Sequence, residues 1–349
     1  MSAETEPSVI GLDVMGGDHG PEVTIAGAAD ALAQFDDIRI LLVGREDAIE
    51  TELAKHSIDR ARIEIEAATE TVEMHESPVE ALRKKPDSSL RRLVAAHKQK
   101  KCDAIFSAGN TGAMVAATTM GLGLLPGVRR AGIAVAMPIP DQPHPAMLID
   151  VGANVACKPL HLFQYAVMAS TFLEKVYGAK DPKIGLLNVG EEEQKGNALV
   201  KETRDLLGAS TLNVIGNVEG SDIFGGECDV IVCDGFVGNI VLKTSEGLSE
   251  KLLGTVFAEV KHLFEESGGA SAGNGIGDRL RKLAARFHYA EYGGAPLLGA
   301  DGTAVIGHGR SDRRAITNAI RWARQMLSVH VRETMIAAIE ENAGRLATE

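Results

Sequence analysis

Cysteine is scarce and poorly placed for structural work: Cys102, Cys157, Cys228 and Cys233 are the only four in 349 residues. No Cys-x-x-Cys spacing and no adjoining histidine cluster occur, which argues against a disulfide framework and structural zinc and points to a reduced cytoplasmic protein. No apolar run is long enough to cross a bilayer, and no basic-then-apolar segment opens the chain, so neither a membrane span nor a secretory leader is expected. Basic residues are outnumbered, 36 Lys and Arg against 48 Asp and Glu. The resulting charge of -12 excludes nucleic acid as a partner, because nothing offsets phosphate repulsion over a broad surface. Low-complexity tracts and short repeats are absent as well.

What is present is a repeated local pattern. Short apolar runs end in turns of small, polar and glycine residues: Asp13-Val-Met-Gly-Gly-Asp-His-Gly-Pro21, Ser107-Ala-Gly-Asn-Thr-Gly112, Asp150-Val-Gly-Ala-Asn154, Cys233-Asp-Gly-Phe-Val-Gly-Asn239 and Ile306-Gly-His-Gly-Arg-Ser311. The carboxyl end of a strand leading into a helix is where open α/β sheets place ligands, and the free N–H groups of the helix start favour an anion. Any one of these turns is equally well an ordinary strand-to-helix connection. Five together suggest one site assembled from several strand ends.

Apolar runs predict strands at 9–14, 38–43, 63–67, 104–106, 132–137, 146–151, 184–187, 212–215, 230–233 and 303–306. Helical patterns lie between most of them, from 21–35 to a closing helix at 313–340. Alternation of this kind implies an α/β fold with a mostly parallel sheet and helices on both sides. The length predicts a single two-lobed domain over 8–340. Within it, residues 245–290 read as a helical hairpin projecting from the sheet. Arg279, Lys282 and Arg286 share one face of its second helix. The polar segment 69–77 is either a loop over the site or a solvated connector.

The motifs closely resemble the bacterial phosphate acyltransferases of phospholipid synthesis, the PlsX family. The resemblance rests on Leu12-Asp-Val-Met-Gly-Gly-Asp18, Ser107-Ala-Gly-Asn-Thr-Gly-Ala113, Asp150-Val-Gly-Ala-Asn154 with Lys158-Pro159, and Leu187-Asn-Val-Gly-Glu-Glu-Glu193 with Lys195-Gly196. It continues through Gly216-Asn-Val-Glu-Gly220, Cys233-Asp-Gly-Phe-Val-Gly-Asn239, Tyr292-Gly-Gly-Ala-Pro-Leu-Leu-Gly299 and Gly307-His-Gly-Arg-Ser311, colinear over nearly the whole chain. Many members read Arg-Pro-Ala where this chain has Arg130-Ala131-Gly132, which puts the path of the next strand in doubt rather than the activity.

The resemblance implies a three-layer α/β/α Rossmann-like fold, similar to the isocitrate/isopropylmalate dehydrogenases and phosphotransacetylases. It implies transfer of a fatty acyl group from acyl carrier protein to inorganic phosphate, by a homodimer without nucleotide, metal or other cofactor. The acyl phosphate would pass to a membrane glycerol-3-phosphate acyltransferase, with peripheral contact at the inner membrane face as one use of the hairpin. The chemistry needs positioning and charge stabilisation rather than a protein nucleophile, because phosphate is already ionised near neutral pH.

Lys243, His308 and Arg310, with N–H groups at Gly109, Asn110, Thr111, Gly307, Gly309 and Ser311, are expected to hold phosphate. Lys243 has the alternative of snorkelling to solvent, and His308 of serving as a turn histidine. Asn154, Asn188, Asn217 and Asn239 are candidate donors to the carbonyl oxygen or orienting groups, and Asp234 fixes such a donor or moves a proton. Asp13, Gly16, Gly17, Asp18, Ser107, Lys158, Glu192 and Gly235 complete the candidate binding set. Asp18-His19 on one turn makes a poor dyad, and the scattered carboxylates make a poor metal site. Cys157 beside Lys158 permits an acyl-cysteine route, with a small buried cysteine the commoner explanation. Arg279, Arg281, Lys282 and Arg286 are nominated to dock the acidic carrier protein, with Arg129 and Arg130 second; a solvated helix face is the alternative. An acyltransferase using coenzyme A is the nearest rival. A nicotinamide-dependent dehydrogenase lacks its Gly-x-Gly-x-x-Gly after the first strand, and a non-catalytic carrier-binding module leaves the many turns without a purpose.

Overall fold

The computed structural model describes residues 6–139, 142–266, 291 and 293–346. The first part of the chain alternates as β1 (Ser8–Asp13), α1 (Gly20–Gln34), β2 (Ile38–Gly44), α2 (Glu46–Leu53), β3 (Ile63–Ala67), α3 (Pro78–Lys84), α4 (Ser89–Lys98), β4 (Ala104–Ser107) and α5 (Thr111–Gly121). Two neighbouring strands follow, β5 (Gly132–Met137) and β6 (Ala146–Ile149), and then α6 (Pro159–Phe172), β7 (Ile184–Leu187), α7 (Ala198–Gly208), β8 (Val214–Val218) and β9 (Val230–Val232). The long helix α8 (Gly235–Glu266), β10 (Ala295–Leu298), β11 (Thr303–Ile306), α9 (Arg313–Ser328) and α10 (Val331–Leu346) complete the described chain.

All eleven described strands join one sheet in the order β3-β2-β1-β4-β11-β10-β5-β6-β9-β7-β8. Side chains alternate across a strand, and here both faces are buried. Ile40 and Leu42 enter one core with Phe106, Val230 and Val232, while Leu41 and Val43 enter the other with Ile105, Leu148 and Ile231. Continuous apolar runs are the signature of strands covered on both sides, and helices do cover both.

The sheet consists of two parallel blocks of opposite sense. β3, β2, β1, β4 and β11 run together, and so do β6, β9, β7 and β8. β10 pairs antiparallel with β11 and with β5, and β5 antiparallel with β6. Three successive reversals leave the two blocks pointing opposite ways. Their carboxyl ends, and the turns that follow, therefore lie at opposite ends of the sheet.

Four local expectations change. Helix α8 begins at Gly235, so Gly238 and Asn239 lie within it rather than in a turn. Gly238 is needed for close approach: a Cβ there would stand 1.9 Å from the Asp150 carbonyl oxygen. Strand β8 runs through Gly216 and Asn217 instead of ending at Ile215. Ala295–Leu298 forms a strand that its proline concealed. The closing helix divides at Val329–His330, with His330 at φ 50°. The first limb of the expected hairpin is the distal part of α8; its second limb, with Arg279, Arg281, Lys282 and Arg286, lies outside the described residues. Among the described residues no helix is long and apolar enough to cross a membrane.

Candidate active site

Helix α8 starts at the carboxyl end of β9, pressed against Asp150, and runs back toward the opposite end of the sheet. Beneath it, over β5, β10 and β11, lies a cavity of about 1070 Å³. Along the helix the cavity extends from Asn239 to Phe257, about 27 Å at the rise of an α-helix. Its floor and walls are largely apolar, with Ile133, Val135, Met137, Val151, Leu242 and Leu253 among the lining residues. At one side the turns after β4 and β11 contribute Thr111, Gly307, His308, Gly309, Arg310 and Ser311, joined by Asp18 from the turn after β1.

Here two of the expected residues meet. Lys243 Nζ lies 3.3 Å from His308 Nε2. His308 Nδ1 accepts the Arg310 N–H at 3.1 Å, so a neutral ring carries its proton on Nε2. Burial first, and then the charge of Lys243, hold the His308 pKa below the ordinary histidine value of 6.5, favouring that neutral ring. Two donors then face one another, and an anion set beside them can accept from both. Helix α5, capped by Asn110 through its bond to the Ala113 N–H at 3.0 Å, adds the orphan N–H groups of its first turn.

The turn after β11 is more self-contained than expected. Gly307 N–H donates to Ser107 O, His308 N–H to Ser311 Oγ, Arg310 N–H to His308 Nδ1 and Ser311 N–H to His308 O. These bonds shape the turn that presents the His308 ring and divert four N–H groups from a ligand. The turns after β1 and β4 are likewise knitted together. Buried Asp13 accepts from Ser107 Oγ at 2.7 Å, and a Cβ on Gly16 would stand 2.7 Å from Gly109 N. The Asp13 carboxyl is raised above its usual range by burial. Gly17 approaches the Gly309 carbonyl, and Asp18 N–H donates to that oxygen at 2.8 Å. Asn110 also anchors the segment at 69–77, its Nδ2 donating to Glu73 O, Met74 O and Glu76 O. The connector is thereby tied to the site, and Met74 reaches the cavity.

The other group of turns sits at the opposite end. Asp150 is fully buried and its carboxylate accepts from the N–H groups of Ile133, Gly152, Ala153 and Asn154. Asn154 Nδ2 donates to Ala131 O, Asp150 Oδ2 and Tyr165 OH. Asp234 caps α8, accepting from Phe236 and Val237 N–H, both at 2.9 Å. Gly235 fits against the Asn154 backbone. Asn188 donates to Gly190 O and Asn217 to Glu192 O, while Glu192 and Lys158 are exposed. Asn154, Asn188, Asn217 and Asp234 thus bond within this end of the sheet, apart from the Lys243–His308 end, and the buried Asn217 Oδ1 has no partner among the described residues. Asn239, beside Gly152, is the polar candidate from this group that lines the cavity, together with Val151.

Glu246, Ser245 and Ser249 escaped the sequence reading although they line the cavity. The available signal was polarity on the inward face of an otherwise amphipathic helix. Burial pushes the Cys102 and Cys228 thiols up to about 12 and Cys157 up to about 11, and raises Cys233 as well, the reverse of what a nucleophilic cysteine needs. Among the described residues no group of three or more His, Cys, Asp or Glu is placed to hold a metal ion.

Comparison with known proteins gives a consistent picture. Residues 8–334 match a family model described as "Fatty acid synthesis protein". The "Phosphate acyltransferase" of Dictyoglomus turgidum is 42% identical over 337 residues, 96% of this chain and 99% of that protein. Among solved structures, a phosphotransacetylase from Streptococcus pyogenes superposes with a TM-score of 0.59 at 17% identity, covering 92% of this chain and 94% of that one. A 4-hydroxythreonine-4-phosphate dehydrogenase from Klebsiella pneumoniae does so with a TM-score of 0.53 at 14% identity, covering 95% and 99%. With the α/β fold, a near-complete match to the family model and close relatives over the full length, the chain belongs to the PlsX family of phosphate acyltransferases.

Proposed function

We propose that this acyltransferase moves a fatty acyl group from acyl carrier protein to inorganic phosphate by direct attack of phosphate on the thioester. The observation that carries the reading is the asymmetry of the cavity: a long apolar floor flanked on one side by the Lys243–His308 pair and the α5 amino end. Phosphate oxygens accept from the Lys243 ammonium, His308 Nε2–H and the Thr111 N–H, with Arg310 adding charge. The acyl chain lies over Val135 and Met137, and Asn239 orients the thioester. A phosphate oxygen bonds to the carbonyl carbon, the oxyanion is stabilised by fixed donors, and the C–S bond breaks as the pantetheine thiolate leaves. The raised thiols favour this single displacement over an acyl-cysteine.

The outward face of α8 supports a homodimer. Phe236, Ile240, Leu248 and Leu252 lie 51–63% exposed along it, a stripe that a second copy would cover. The product would be passed to a membrane glycerol-3-phosphate acyltransferase. Carrier docking on a local basic patch is proposed because an acidic carrier meets an acidic enzyme.

The test is a donor comparison. Purified protein, inorganic phosphate and either acyl carrier protein or coenzyme A thioesters are mixed, and acyl phosphate is trapped as hydroxamate. Efficient release from the carrier thioester, with poor use of the coenzyme A thioester, is expected. Preference for the coenzyme A donor would establish the phosphotransacetylase-like alternative, and release from neither would refute the reading.

A further inference from the structure

The cations at the proposed phosphate end already have carboxylates beside them. Glu246 Oε2 lies 2.7 Å from Lys243 Nζ, and Glu250 Oε2 lies 3.9 Å from Arg310 Nη1. The two acids stand one turn apart on α8, and both line the cavity. Acids are the wrong chemistry for a site built only to hold an anion tightly, because each repels the ligand and competes for its cation. Glu246 is also the less exposed, its side chain 26% exposed against 66% for Glu250. It shares the inward face of the helix with Leu242, Ser249 and Leu253, where a charge is costly unless paired. The pair is half open to solvent, with the Lys243 side chain 51% exposed, so phosphate entering the cavity can reach the ammonium.

We infer that Glu246 is a displaceable counter-ion, a positioning residue that holds Lys243 at the cavity in the empty enzyme, yields it to phosphate, and reclaims it as acyl phosphate departs. The inference rests on the assignment of phosphate to the Lys243–His308 end. Glu246 takes no part in bond making or breaking: the oxygen–carbon bond forms and the carbon–sulfur bond breaks without it. Its effect is to weaken the hold on both anions, the entering phosphate and the leaving acyl phosphate. Turnover gains from this, because a product that carries the same phosphoryl group is not trapped. Glu250 repeats the arrangement more weakly on Arg310.

The full-length wild type, Glu246→Gln and Glu250→Gln proteins are titrated calorimetrically with inorganic phosphate alone, then assayed for turnover. Glu246→Gln should bind phosphate about three- to fivefold more tightly, the scale of one partly exposed ion pair. Its half-saturating phosphate should fall by a like factor while kcat also falls. Glu246→Asp should return phosphate affinity toward wild type, and Glu250→Gln should shift it in the same direction by less. Wild-type binding with equal or weaker binding by Glu246→Gln would overturn the counter-ion role. Should Glu246→Gln fail to fold, unchanged or weaker binding by Glu250→Gln would do the same. Absence of phosphate binding by wild type would instead remove the assignment on which the inference stands.

Discussion

The turns after β1, β4 and β11 and those after β6 and β9 are made of the same residue types, yet they do different work. At the first end, local hydrogen bonds build a frame that presents one imidazole to an ammonium on the wall of a cavity. At the second, two buried or capping acids bond within the frame itself: Asp150 holds four backbone N–H groups and Asp234 caps α8. What separates the two ends is therefore where the polar atoms are directed. Residue type alone does not distinguish them. Helix α8 connects the two ends, wedged at Gly238 against Asp150 and carrying Lys243 to His308.

The widest separation between the two regions should appear in stability. Asp150→Ala strands several buried donors, each costing about 1–3 kcal/mol, so denaturant unfolding should show a loss of at least about 3 kcal/mol. Lys243→Ala, at an exposed position, should unfold within about 0.5 kcal/mol of wild type. An Asp150→Ala protein with a normal melt and impaired phosphate binding would erase the distinction.

A second contrast lies in titration. By NMR, His308 should titrate below 6.5 in the ligand-free protein, and Lys243→Ala should raise its pKa by removing a neighbouring positive charge. A bound phosphate should raise it too, since an anion favours imidazolium. Because the folded pKa is depressed, the contribution of His308 to stability is complete above 6.5 and is lost as pH falls through the folded value. His308→Asn should flatten that part of the stability profile. An apo pKa above 6.5 would contradict a ring buried beside Lys243.

The smallest effect is expected at Cys157, which belongs to the scaffold end. Cys157→Ala should turn over like wild type, measured as acyl phosphate released per enzyme. Loss of turnover with an intact fold would reinstate a covalent route.

Much of this architecture was legible in the chain. Apolar runs such as those around Ile40 and Ile231 marked strands covered on both faces, and the Gly307-His-Gly-Arg-Ser311 turn marked a strand end that lines the cavity. The division of the turns into two groups was not legible, because it depends on β10 and β5 reversing the sheet, and pairing sense leaves no local trace. Gly238 looked like turn chemistry when its purpose is a contact with Asp150, distant in sequence. Asn154 and Asn217 have the composition of ligand-binding residues, but they bond to Ala131 and Glu192, which only folding brings near, while Asn188 bonds to Gly190 within its own turn. Glu246 was overlooked because an i, i+3 acid after Lys243 reads as an ordinary helix pair until a cavity is found beneath it.

The most direct test of phosphate binding at the Lys243–His308 end is a paired titration of Lys243→Ala and His308→Ala, varying phosphate at saturating acyl donor and then the donor at saturating phosphate. The account predicts a large rise in half-saturating phosphate with little change for the donor. Equal rises for both substrates, or a rise for the donor alone, would contradict it.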